Sequence, residues 1–136
     1  MLIVPVAPGL YELNGGGLAA AYVIVYHADG SQTVELVYTV NSAGAIVASP
    51  VSLGSSTDQT YLFLFGTGLQ AAGTGGVKVS IGGSNAPVQY AGAQGGFPAL
   101  DQVNVMLPAS LAGKGNVAIQ LTANGLAANT VNITVH

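Results

Sequence analysis

Hydrophobic and polar residues alternate with a period of two through the second half of the chain. Val77, Val79 and Ile81 fall on one side, Lys78 and Ser80 on the other. Val103, Val105 and Leu107 alternate with Asn104 and Met106, and Val117, Ile119 and Leu121 with Ala118 and Gln120. Val131, Ile133 and Val135 alternate with Asn132 and Thr134. Successive side chains of a strand point to opposite faces, so this period predicts strands with one buried and one exposed side. Glycine-containing turns separate them at Gly82-Gly83, Gly92 to Gly96, Gly113 to Gly115 and Asn124-Gly125.

Upstream the pattern changes. Tyr61 to Phe65 is apolar at every position, which predicts a strand covered on both sides. Gly66-Thr67-Gly68 stops it. Leu18 to Ala28 predicts a long strand, and Asp29-Gly30 after it signals a two-residue hairpin turn. That turn sets His27 against Gln32, Val25 against Val34 and Val23 against Leu36 on one apolar face. Tyr22, Ile24, Tyr26, Thr33 and Glu35 then form a mixed face. Asn41 to Gly44 is a second turn, and Ala45 to Leu53 is extended through Pro50. Pro5 and Pro8 exclude helix from the first residues. No window carries a helical period, and only Leu107 to Gly113 has room for one short turn. Many short strands about ten residues apart predict an all-β fold, an antiparallel two-sheet β-sandwich. Residues 1–17 form an extended segment, a candidate donated or edge strand, and residues 18–136 form the sandwich.

Composition narrows the function. The 136 residues are 50% hydrophobic and 5% charged, against roughly 25% charged in an ordinary soluble domain. Ser, Thr, Asn, Gln, Gly and Ala must therefore build the exterior. Two basic residues are too few to displace phosphate counterions or to form a polybasic membrane patch, so nucleic acid is not expected, and no stretch approaches the roughly 18 unbroken apolar residues of a membrane span, so neither is membrane insertion. With no cysteine there are no disulfides and no thiolate metal sites. Met1 to Val6 is short, apolar and lacks a basic flank, which implies an export signal removed upstream or a fragment of a longer chain.

Candidate chemistry is sparse. Gly66-Thr67-Gly68-Leu69-Gln70-Ala71 matches a dinucleotide fingerprint, which needs a following helix to meet the pyrophosphate. Gly73-Thr74-Gly75-Gly76 follows instead and is not expected to sustain one, so the stretch reads as a turn. His27 lies by a hairpin tip and His136 is the last residue, placements that suit surface histidines better than a triad or a metal site. The carboxylates are Glu12, Asp29, Glu35, Asp58 and Asp101. Asp29 has a turn role, Asp58 lies in a polar loop, and Asp101 is placed to cap a loop through backbone N–H groups. A glycosidase pair would bring flanking aromatics, and the chain has no Trp. Calcium held by Asp101 and carbonyls is the other reading weighed. Lys78 and Lys114 are isolated surface positions, and the sequon Asn132-Ile133-Thr134 lies within a strand. No catalytic, cofactor-binding or metal-ligating residue is assigned, no cofactor is expected, and the chain is not read as an enzyme.

A set of motifs occurs in a fixed order: V-A-P-G-L-Y (Val6 to Tyr11), G-L-A-A-A (Gly17 to Ala21), A-D-G-S-Q-T (Ala28 to Thr33), F-G-T-G-L (Phe65 to Leu69), I-G-G (Ile81 to Gly83), V-Q-Y-A-G (Val88 to Gly92), L-D-Q-V-N-V (Leu100 to Val105), L-P-A-S-L-A-G-K-G (Leu107 to Gly115) and A-N-T-V (Ala128 to Val131). Together they resemble the uncharacterised C-terminal domain family of paralogous secreted acidobacterial (Solibacter-type) proteins, over nearly the whole chain. The resemblance implies an immunoglobulin-like sandwich whose second half is similar to IPT/TIG domains, and an extracellular or cell-surface setting. It transfers no catalytic residue. Family members carry more Arg and Lys near the L-P-x-S-L-A-G motif, where this chain has Ala109 and Lys114.

Charges on exposed strands keep sheets from pairing with neighbours, and this exterior nearly lacks them. The expected function is a non-catalytic extracellular structural module that docks on copies of itself or another surface protein, as in a filament or surface layer. The Leu2 to Val6 run is the candidate donated strand. The alternative is a monomeric C-terminal adhesion, sorting or carbohydrate-binding module of a secreted protein.

Overall fold

A computed structural model describes residues 8–70, 72–97 and 100–136. The Leu2 to Val6 run lies outside the described residues.

In chain order the elements are β1 (Gly9–Leu10), β2 (Ala21–Tyr26), β3 (Gln32–Leu36), β4 (Tyr38–Val40), β5 (Ile46–Ala48), β6 (Gln59–Thr67), α1 (Gly73–Gly76), β7 (Val77–Ile81), β8 (Ser84–Ala86), β9 (Val88–Ala93), β10 (Asp101–Met106), a 3-10 turn (Ala109–Leu111), β11 (Gly115–Ala123), β12 (Leu126–Ala127) and β13 (Val131–Val135). A six-stranded sheet runs β3-β2-β6-β10-β9, with β1 also paired to β6. A five-stranded sheet runs β12-β11-β7-β8, with β13 on β11, and β4 and β5 form a small ribbon. Each of these ladders is antiparallel. The fold is the expected all-β, antiparallel two-sheet sandwich.

The period-two residues fill the space between the sheets. Val23, Val25, Leu62, Leu64, Val103 and Val105 come from the first sheet, and Val77, Val79, Ile81, Ile119, Leu121, Ile133 and Val135 from the second; each is buried. A Val, Leu or Ile fully withdrawn from water contributes about 1.5–3 kcal/mol, so these pairs of facing rows supply most of the drive to fold. Leu10, Leu18, Val37, Val51, Leu69, Leu107 and Leu111 plug the ends.

Polar side chains fix the loops to this frame. Asn129 treats β1 as a strand would: its Oδ1 accepts from the Leu10 N–H at 2.8 Å and its Nδ2 donates to the Leu10 carbonyl at 2.9 Å. β1 also lies so close on β6 that a side chain at Gly66 would collide with the Gly9 carbonyl oxygen. The outer edge of β13 is covered, because Gly17–Ala19 and Val51 exchange backbone hydrogen bonds with Asn132, Thr134 and His136.

Three expectations are corrected. The hairpin after β2 pairs Tyr26 with Gln32, Val25 with Thr33, Ile24 with Val34, Val23 with Glu35 and Tyr22 with Leu36. His27 and Ser31 close a three-residue loop in which Gly30 takes φ 90°, a type I turn followed by a left-handed residue. One residue more in the loop moves every β3 side chain to the other face. Val34 and Leu36 therefore point outward, at 60% and 51% exposure, with Tyr22, Ile24 and Tyr26. Second, β6 has the core on only one side. Leu62 and Leu64 face it, while Tyr61, Phe63 and Phe65 lie on the outer face and shelter among neighbouring rings. Third, Gly73–Gly76 does form a single helical turn. The 3-10 turn at Ala109–Leu111 falls within the stretch expected to hold one.

Candidate functional site

The two exterior faces differ in kind. The second sheet shows the solvent Lys78 and Ser80 from β7, Asn116, Ala118, Gln120 and Thr122 from β11, and Asn132 and Thr134 from β13, a hydrophilic surface with a single charge among them. The first sheet shows rings and aliphatics. Its register lines up Leu36, Tyr22, Phe63, Asn104 and Tyr90 in one row across β3, β2, β6, β10 and β9. The next row is Val34, Ile24, Tyr61 and Met106, and the next Gln32, Tyr26 and Gln59. No charged residue occupies this face among the described residues.

Aromatic contacts order it. Tyr22 stacks on Phe63 with ring centroids 4.9 Å apart and planes 10° apart. Phe65 leans on Tyr22 at 5.8 Å, and Tyr26 meets Tyr61 edge-on at 5.5 Å. The stack is a ridge between two open hollows. One, about 430 Å³, is lined by Leu13, Ala20, Tyr22, Val34, Leu36 and Phe65 among others, and is almost wholly apolar. The other, about 420 Å³, is lined by Tyr26, Tyr61 and Phe63 together with the amides Gln59, Gln89 and Asn104.

The edges of the sheet differ too. β9 is blunted: Gln89 is an extra residue opposite β10, and the Ala91 N–H is taken by the Thr74 hydroxyl at 3.1 Å. β3 has neither proline nor lysine, nor a bulge within its ladder to β2. The Glu35 carboxylate accepts from the Ser52 N–H at 3.2 Å and ties the loop before β6 to it.

His27, Asp58 and Asp29 lie together at the hairpin end of the first sheet. The β2–β6 ladder, continued by one residue on each strand, places His27 beside Asp58, and Nδ1 lies 3.1 Å from Oδ1. His27 Nε2 lies 2.6 Å from the Thr33 hydroxyl. Hydroxyl, imidazole and carboxylate thus stand in the order a nucleophilic triad uses. Here the Ser55 N–H serves Asp58, the Gly54 N–H serves Ser52, the Ser52 N–H serves Glu35 and the Ser31 N–H serves Asp29. The row acts as a clamp between hairpin and loop. The Ser55 backbone N–H holds the Asp58 carboxyl below its ordinary value of 3.8, with help from His27 and against partial desolvation. The Ser31 hydroxyl and N–H do the same for Asp29, which serves the turn as expected.

Asp101 is buried at 3% exposure, and its carboxylate accepts from the Leu69 N–H at 2.8 Å and from Gln70 Nε2 at 2.6 Å. These bonds tie the turn after β6 to the start of β10. The same contact disposes of the dinucleotide fingerprint, because a carboxylate sits on the loop amide that a phosphate would require. Among the described residues no three His, Asp or Glu side chains cluster as metal ligands, and no helix is long and apolar enough to cross a membrane.

No family model, curated protein or solved structure matches the chain.

Proposed function

We propose that this chain is a non-catalytic structural module of an extracellular assembly, and that it associates with copies of itself along β3 and the aliphatic hollow beside it. The observation that carries this reading is the outward turn of Val34 and Leu36 on a bare edge strand, next to a face without charge. Unpaired N–H and C=O groups on such an edge template another strand, and an exposed apolar patch of this kind is rare on monomers. A second copy is the occupant of matching chemistry. Its own β3 supplies the missing backbone partners, and its Val34 and Leu36 supply the apolar cover. Contacts between unlike surfaces propagate into filaments or layers, whereas a β3-to-β3 contact closes a two-fold pair. The extracellular setting is supported by the scarcity of charge in the chain and by the resemblance carried by its motifs.

Sedimentation velocity across a concentration series tests this. The weight-average mass should rise with concentration for the native chain and stay monomeric for Val34→Lys, whose charge projects from the exposed edge without entering the core. A native chain that sediments as a monomer throughout contradicts the proposal.

A further inference from the structure

We infer that the second hollow, on the far side of the Tyr22–Phe63 ridge, binds a neutral oligosaccharide. Its lining has two components. Tyr26 and Tyr61 offer ring surface beside the largely covered Phe63, and Gln59, Gln89 and Asn104 offer amides. Sugar rings present the same two components: C–H faces that pack on aromatic rings, and equatorial hydroxyls that pair with a group holding both a donor and an acceptor.

Part of the polar capacity is uncommitted. Asn104 Oδ1 accepts from Gln102 Nε2 at 2.7 Å, and no hydrogen bond engages the Asn104 amino group among the described residues. Gln89 stands exposed on the bulge of β9, which swings it over the hollow beside Tyr90. Among the described residues the Gln59 side chain is met by the Tyr61 hydroxyl alone, at 3.4 Å. The volume, about 420 Å³, falls in the range of small-ligand sites.

Other ligand classes fit less well. A peptide strand would need free backbone groups, but β6 is paired on both sides, by β2 and β10. An acyl chain would leave three amides facing hydrocarbon. Nucleic acid and acidic glycans would need cations, and both lysines lie elsewhere, Lys78 on the second sheet and Lys114 in the turn before β11. An uncharged sugar chain matches the uncharged hollow.

The test uses the full chain and its Val34→Lys variant, so that self-association and sugar binding are read separately. Cellohexaose, xylohexaose and mannohexaose are titrated by calorimetry, with polygalacturonate as the acidic counterpart. At least one neutral hexasaccharide should bind both proteins, and Gln89→Ala and Tyr26→Ala should each weaken it about tenfold, a loss of roughly 1.4 kcal/mol. Gln89 is exposed, so its variant tests the site without disturbing the fold, and thermal unfolding checks the tyrosine variant. Failure of all three hexasaccharides to bind, binding unchanged by either substitution, or preference for polygalacturonate would each overturn the inference.

Discussion

Tyr22 and Phe63 lie ring on ring across β2 and β6, 4.9 Å between centroids, and this stack divides the exposed face of the first sheet in two. Phe63 is 9% exposed although it points away from the core. It is covered by side chains of its own sheet, not by a second layer. The same residues therefore stabilise the sheet and form its exposed face.

A double-mutant cycle on Tyr22→Ala and Phe63→Ala should return a favourable coupling of about 1 kcal/mol, the usual worth of an aromatic pair beyond its area. Urea unfolding of the two single variants and the double variant measures it. Strictly additive losses would mean that the rings do not interact.

Removing the Asp101 carboxylate should uncouple the turn after β6. Asp101→Ala leaves the Leu69 N–H without its partner, at a cost of about 1–3 kcal/mol. Asp101→Asn keeps one acceptor and should lose less. The order of the two melting temperatures checks this.

Acid should loosen the clamp at the hairpin end. The folded-state pKa of Asp58 is depressed, first by the Ser55 N–H. Its contribution is therefore present above the unfolded value of about 3.9 and is lost as pH falls through the lower folded value. Denaturant midpoints taken between pH 6 and pH 3 should fall less steeply for Asp58→Asn than for the native chain. Equal slopes would show that the carboxylate carries no linkage.

Gly66→Ala should loosen the N-terminal strand and leave the sheets in place. The new methyl group collides with the Gly9 carbonyl, and overfilling of this kind costs about 1–3 kcal/mol. Asn129→Ala attacks the same strand from the other side by removing both bonds to Leu10. Amide exchange of Leu10 should speed up in each variant, while that of Ile119 in the second sheet should not.

The core rows were legible in the sequence because alternation reports burial directly: Val77, Val79, Ile81, Val117, Ile119 and Leu121 all lie where the pattern puts them. The outward turn of Val34 and Leu36 was hidden by a single residue of register. Asp29-Gly30 signals a two-residue turn as strongly as it signals a three-residue loop, and local composition does not choose between them. The two-residue turn buries Val34 and Leu36, whereas the longer loop exposes them and brings Thr33 beside His27. The His27–Asp58 pair depends on a ladder between segments more than thirty residues apart, which no local pattern encodes. Tyr61 to Phe65 misled for a related reason, since a strand lying beneath its neighbours' rings is as apolar as one lying between two layers.

The most direct measurement is hydrogen exchange of the β3 amides, Gln32 to Leu36, at low and high protein concentration. Exchange should slow as concentration rises in the native chain and stay fast in Val34→Lys, because a second copy covers the edge only in the former. Equal exchange at both concentrations in the native chain would contradict a docking seam at β3.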